Sequence, residues 1–183
     1  VRFYPWDTPL ITYQDKNFVE NKFFYAEPAV FDVFTFPLTQ GDSKTALSEP
    51  NSLVITEEIA EKYFGEEPAM GKTLNYKNRN GMTTSFEVTG ILKDIPRNSH
   101  FTFDFLVSFA TYENAVGQGE MSSYGSNNYP TYFLLSEGVD IDNITRRFPD
   151  FLDSHMTPGG GRLPHEFTRL VPQKLTDIHL YSH

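Results

Sequence analysis

Cysteine is absent from the 183-residue chain, which excludes a disulfide framework, thiol catalysis and thiolate-held zinc or iron–sulfur centres. The absence leaves the compartment open, because a chain of this length buries a core without covalent staples. Long apolar runs are missing too: stretches such as Tyr132-Phe133-Leu134-Leu135 fall far below the roughly 18 residues of a membrane-spanning helix. The opening Val1-Arg2-Phe3-Tyr4-Pro5 does not resemble a signal peptide, so the expectation is a soluble protein or a soluble piece of a larger one. Basic residues are scarce. Lys and Arg number 15 against 24 Asp and Glu, and the net charge of −9 repels a phosphate backbone or an anionic lipid surface. What is abundant is aromatic: 17 Phe and 10 Tyr surround a single Trp. Aromatic residues at strand spacing read first as core packing.

Along the chain, Pro5 and Pro9 punctuate a strand or extended arm reaching about Gln14. Val19, Asn21, Phe23 and Tyr25 fall on one side of a strand, and Glu27-Pro28 starts a short helix through Phe34. Phe34, Phe36 and Leu38 lead to a turn at Gly41-Asp42. Ser52–Ile55 reads as a buried strand, followed by a helix that Thr56 caps and Gly65 closes, with Ile59, Ala60, Tyr63 and Phe64 on its inner face. Asn80-Gly81 marks a β-hairpin, with positive φ expected at both positions. After a Pro96–Ser99 turn, Phe101, Phe103, Phe105, Val107 and Phe109 alternate with Thr102, Asp104, Leu106 and Ser108, which predicts one strand pointing into one core.

Composition changes at Ala110, where a Gly-, Ser-, Asn- and Tyr-rich stretch runs to Tyr129 and only Tyr132–Leu135 looks strand-like again. Asp140 caps a helix bearing Ile141, Ile144 and Phe148, Pro149 kinks or restarts it, and Pro158-Gly159-Gly160-Gly161 reads as a flexible loop. A returning strand is expected near Leu175–Leu180. The fold class is therefore α+β: a mixed sheet with flanking helices, plus a smaller α/β subdomain. The expected organisation is a core of residues 1–109 with 170–183, and an inserted subdomain of residues 110–169.

Motifs with chemical meaning are few. Gly65 to Thr73 ends in Gly71-Lys72-Thr73 like a phosphate-binding loop, yet five residues rather than four separate the glycines and a helix rather than a strand precedes them. Glu66 and Glu67 repel phosphate, and Pro68 has no N–H to offer it. His155, His165, His179 and His183 lack a recognisable ligand frame. Asp140 and Asp142 read as helix-capping acids rather than a glycosidase pair. No Gly-x-Ser-x-Gly elbow occurs. No catalytic, metal or cofactor-binding residue is assigned.

Three blocks carry a likeness. They are Lys16–Glu27 with Val30–Leu38 and Gly41-Asp42; Leu47–Glu57 through Ala60–Gly65 and Met70–Leu74; and Leu175–Ser182. Together they resemble the MacB-like periplasmic core domain of FtsX-like ABC transporter permeases, particularly the Bacteroidetes forms. That resemblance implies a porter-like α+β part plus a more variable subdomain, projecting into the periplasm between the first two membrane helices of a permease in the inner membrane. It implies a second permease protomer and a cytoplasmic ABC ATPase as partners, and a role in transmitting ATP-driven motion to a periplasmic protein or a lipid or peptide substrate. It implies no catalytic residues and no cofactor.

An alternative reading is a secreted or surface lipoprotein that binds glycan or peptide through its Tyr/Asn-rich segment. Hydrophobic runs flanking the segment point to the permease, a lipobox to the lipoprotein. Under either reading Tyr112, Tyr124, Tyr129 and Tyr132 are the expected partner contacts, because tyrosines among Gly, Ser and Asn supply contact area at low entropic cost. The competing reading is that these rings cover a core. Two or more rings exposed side by side would favour contact.

Overall fold

The computed structural model describes residues 1–96 and 99–178, apart from the side chains of Trp6 and Gln118. The chain divides into two compact units, Val1–Met121 with Asn127–Phe133, and Ser122–Ser126 with the chain from Leu134 onward. These boundaries differ from the expected ones: the helical stretch after residue 109 packs on the sheet of the first unit, and residues 170–178 fall in the second.

The first unit is a mixed sheet with both faces covered. Its strands are β1 (Phe3–Asp7), β2 (Leu10–Tyr13), β3 (Lys16–Val19), β4 (Phe23–Ala26), β5 (Leu38–Gly41), β6 (Ser52–Thr56), β7 (Thr73–Lys77), β8 (Thr83–Leu92) and β9 (Phe105–Ser108). Their order is β1-β4-β9-β6-β8-β7-β2-β3, with β5 also on β8. The β4–β9 and β6–β8 pairs are parallel and the others antiparallel. Three helices accompany the sheet: α1 (Val30–Val33), α2 (Glu57–Phe64) and α3 (Phe109–Val116), the last followed by the single turn α4 (Gln118–Met121).

Local chemistry accounts for the best-defined elements. The Thr56 hydroxyl accepts from the Ile59 N–H at 3.4 Å, Glu57 and Glu58 complement the positive helix end, and Gly65 takes φ of 63° where α2 stops. Lys16 finishes that end by donating its ammonium to the Lys62 and Tyr63 carbonyls at 3.0 and 2.8 Å. On the inner face Ile59, Tyr63 and Phe64 meet Phe105, Val107, Leu53 and Ile55 in the first core. The opposite face carries a second core of Phe3, Ala26, Val30, Leu47, Val54, Phe103 and Leu106. Central strands β6 and β9 are therefore buried at every residue.

The aromatic run from Phe101 does not form one strand facing one core. All five positions are buried, but Phe101 and Phe103 enter the second core while Phe105, Val107 and Phe109 enter the first. The N–H groups of Asp104 and Phe105 both donate to the Lys22 carbonyl, at 2.9 and 3.1 Å. Two residues opposite one acceptor act as a bulge, and the extra residue reverses which side each ring faces.

Other expectations need correction. The expected hairpin forms between β7 and β8, but its connection spans Asn78–Met82 with only Gly81 at positive φ, because the Asn78 side chain accepts from the Asn80 and Met82 N–H groups and builds a wider loop. Val19 is 71% exposed on an edge strand, not on a buried face with Phe23. Tyr132–Leu135 forms no strand; the backbone near Thr131 bridges Arg2 instead.

The second unit holds α5 (Ile141–Thr145), α6 (Phe148–His155) and two 3-10 turns, Pro164–Glu166 and Leu175–Asp177. Asp140 caps α5 and Pro149 stands in the first turn of α6, as their positions dictate. Gly160 and Gly161, with φ of 60° and 76°, make a tight turn closed by mutual Gly159–Arg162 backbone bonds rather than a loose loop. Leu175–Asp177 turns where a strand was expected, and residues 179 and 180 of that stretch lie outside the described residues.

Candidate functional site

Tyr112 and Tyr129 belong to a cluster of tyrosines and carboxylates on the first face of the sheet. The Tyr112 ring, on α3, stacks on Tyr4 of β1 with centroids 4.3 Å apart. Its hydroxyl lies 3.2 Å from that of Tyr129, which donates to Glu120 at 3.2 Å. Nearby, Tyr25 and Tyr76 both donate to one oxygen of Asp7, at 3.4 and 2.5 Å. Burial pushes the Tyr25, Tyr76 and Tyr112 hydroxyls far above the usual phenol range, and the neighbouring carboxylate or hydroxyl groups push them further. These phenols stay protonated donors, so the cluster is a fixed hydrogen-bond network rather than an acid–base site.

Tyr132 goes to the opposite face. Its ring packs at 5.7 Å edge-on to Phe3 and at 5.3 Å to Phe34, and its hydroxyl meets His100 Nε2 at 2.8 Å. A small cavity of about 90 Å³ opens beside it, lined by Phe3, Phe24, Phe101 and Pro130. An open groove of about 520 Å³ lies along Phe31–Leu38 and Gly41–Ser43. Tyr124 belongs to the second unit, where it contacts Phe151 and His155 and is 49% exposed. Within the first unit, Tyr112 and Tyr129 pair but are half-buried, and Tyr132 serves the second core.

The Gly71-Lys72-Thr73 segment is spent on folding. The Gly71 N–H donates to Val88 at 2.8 Å and the Lys72 N–H to Ala69 at 3.1 Å. The Lys72 ammonium pairs with Glu67 and reaches the Tyr13 hydroxyl at 3.2 Å. His165 Nδ1 lies at hydrogen-bond distance, 2.7 Å, from Asp153 Oδ2, and among the described residues no three His, Asp or Glu side chains gather as metal ligands would. His179 and His183 lie outside the described residues.

A different centre was not legible beforehand. Arg2 grips Glu27 through its Nε at 2.7 Å and its terminal nitrogen at 2.6 Å, and Glu113 of α3 at 3.0 Å. Its guanidinium also lies 4.5 Å from the centre of the Phe109 ring. Burial works against the charge, yet the two glutamates outweigh it and raise the arginine pKa. One residue thereby ties the start of β1 to the β4–α1 junction and to α3. Nothing in the spacing of residues 2, 27 and 113 announces this, because the pairing depends on sheet order.

Residues 3–150 match the MacB-like periplasmic core domain. The chain belongs to that family. Among curated proteins none matches the sequence. Solved structures share the fold. A domain assigned to a permease of Porphyromonas gingivalis aligns with a TM-score of 0.71 at 22% identity, over 98% of this chain and 81% of that one. The periplasmic region of MacB from Actinobacillus actinomycetemcomitans aligns at 0.55 and 16% identity, over 84% and 65% respectively. The extracellular domain of the noncanonic ABC-type transporter YknZ from Gram-positive bacteria aligns at 0.52 and 19%, over 80% and 70%. The MacB-like family is that of a permease's periplasmic domain, not of an enzyme class. No helix among the described residues is long and apolar enough to cross a membrane.

Proposed function

We propose that this MacB-like domain is a mechanical element of an inner-membrane ABC permease, facing the periplasm and relaying motion driven by ATP hydrolysis in a cytoplasmic ATPase. Its partners on this reading are a second permease protomer and that ATPase, reached through membrane segments outside this chain. The carrying observation is the Arg2 anchor. A relay needs its input fastened to a body that moves as one, and Arg2 joins β1 to β4 and α3 while Phe3 N–H and Val1 carbonyl bond the backbone at Pro130 and Tyr132, at 3.0 and 2.8 Å. The two-sided core behind them resists deformation because close-packed interiors shift between discrete arrangements rather than yielding continuously.

The test uses the full-length permease with its ATPase, spin-labelled at the exposed Glu61 in each protomer. ATP addition shifts the distance distribution between labels in the wild type. Arg2→Met, which keeps the aliphatic stem and removes the charge, leaves ATP hydrolysis running but shrinks that shift severalfold. A variant whose distances respond as the wild type's do sinks the proposal.

A further inference from the structure

One end of the sheet is open. β3 is the last strand, beyond β2, and Asn17, Phe18 and Val19 are exposed along it. At the other end β1 is closed off, because the Phe3 N–H donates to the Pro130 carbonyl at 3.0 Å and the Tyr132 N–H to the Val1 carbonyl at 2.8 Å. Strand edges that stay alone are blunted by a proline, a bulge or an outward charge. β3 has none of these. It pairs with β2 in unbroken register from Lys16 on Tyr13 to Val19 on Leu10, and the Lys16 ammonium turns to the Lys62 and Tyr63 carbonyls. Lys62, whose ammonium lies 4.4 Å from the Phe18 ring centre, is paired with Glu20 at 2.7 Å.

Hairpin geometry decides which backbone groups face outward. Gln14-Asp15 is a two-residue turn between Tyr13 and Lys16. The residues that close such a turn exchange hydrogen bonds, and every second pair does so along the ladder. The Glu20 N–H donates to the Pro9 carbonyl at 2.9 Å, in phase with that alternation. Lys16, Phe18 and Glu20 therefore spend their backbone groups on β2, and Asn17 and Val19 turn theirs away from it. Among the described residues no hydrogen bond reaches those outward groups.

We propose that β3 pairs antiparallel with the same strand of a second copy of this chain, about a two-fold axis at Phe18. That register sets Asn17 opposite the partner's Val19 and Val19 opposite the partner's Asn17, so every outward N–H and C=O of β3 finds its complement. Centring the axis on Asn17 or Val19 would set the other residue against a position outside the strand. Phe18 faces the partner's Phe18 as a non-hydrogen-bonded pair, the closer kind, where aromatic neighbours stabilise a sheet. A copy suits the edge because Asn17, Phe18 and Val19 carry no charge, so like meets like without repulsion at the centre. Strands this short cover less than a standard interface, and a net charge of −9 per chain opposes approach until salt screens it, so the pairing is weak in dilute solution. Two protomers held in one membrane raise the effective concentration. The inference gives the protomer contact of the proposed function a location, and rests on that reading for its setting.

The experiment is residue-resolved amide hydrogen exchange on the 183-residue chain at about 0.05 mM and about 2 mM in about 0.3 M salt, a range that reaches millimolar association. The Asn17 and Val19 amides exchange at least twofold more slowly at the higher concentration, whereas Phe18 and Glu20, already bonded to β2, change little. Lowering the salt to about 0.02 M shrinks the gain. Val19→Pro removes an outward donor, leaves the rungs to β2 intact and abolishes the concentration dependence at Asn17. If that variant loses protection at Phe18, Val19→Lys replaces it, since a charge on an edge strand opposes self-pairing. A peptide of residues 15–21 protects the same two amides and its scrambled version does not. Exchange that ignores concentration, association that protects other residues, or a Val19→Pro chain with an intact hairpin that pairs as the wild type does overturns the proposal. A scrambled peptide that protects equally well assigns the edge to any extended chain and overturns it too. Because the isolated chain is used, such a failure leaves the spin-label test of the relay to be decided on its own.

Discussion

Two aspartates show how the same side chain takes opposite roles. Burial raises the pKa of Asp104; Lys22, 3.3 Å away, works against the rise, and the charges of Glu58 and Glu20 add to it. At Asp153 partial desolvation would raise the value, but the His165 backbone N–H and ring hold it below the ordinary range. With a raised folded-state pKa, the native protein binds more protons than the unfolded chain between about 3.9 and the raised value, so stability falls as pH climbs through that window. For Asp153 the sign reverses: its contribution is present above the unfolded value and is lost as pH falls through the depressed one. Asp104→Asn is therefore expected to stabilise the domain near neutral pH. Urea denaturation at about pH 4 and about pH 7 checks it, with the variant's advantage larger at the higher pH. A loss of stability at neutral pH would mean that the Lys22 pair outweighs the desolvation.

At the scale of elements, β5 depends on one close approach. Gly41 has φ of 97°, and a Cβ there would meet the Thr89 carbonyl oxygen at 2.6 Å and Gly90 Cα at 2.9 Å, both of them backbone atoms of β8. Gly41→Ala combines a disfavoured dihedral with a clash that no side-chain rotation relieves, and should cost about 2–4 kcal/mol in chemical denaturation. A cost below about 0.5 kcal/mol would mean that β5 can lift from β8 without loss. Elements whose signals are local were legible in the sequence: Thr56 and Gly65 bracket α2, Ser52–Ile55 is buried, and Asp140 and Pro149 start α5 and α6. What was not legible depends on partners distant in the chain. The shared Lys22 acceptor reverses the facing of Phe101 and Phe103 relative to Phe105, and no periodicity within residues 101–109 contains that information. The tyrosines divided for the same reason, since their surroundings are set by β1 and α3 for Tyr112 and Tyr129, and by Phe3, Phe34 and His100 for Tyr132.

At the scale of the whole molecule, nucleotide binding is directly testable. The isolated chain is expected to give no heat of binding when titrated calorimetrically with ATP, because the backbone donors of Gly71 and Lys72 and the Lys72 ammonium are already engaged. Micromolar binding abolished by Lys72→Ala would restore the phosphate-loop reading. The two units also differ in what holds them. The first has a core on each side of its sheet, while Leu152 and Pro164 are the buried residues assigned to the helices and turns of the second. The flanks of β1 carry a mechanical consequence. The strand is paired with β4 on one side and with the backbone around Pro130–Tyr132 on the other. Tension drawn along it from Val1 runs parallel to both ladders, so the rungs are sheared together instead of being peeled open one after another. The Arg2 pairs add to what fastens the start of that strand. Such a strand behaves as a tongue in a groove: stiff against a lengthwise pull, and far weaker against one that lifts it sideways from its slot.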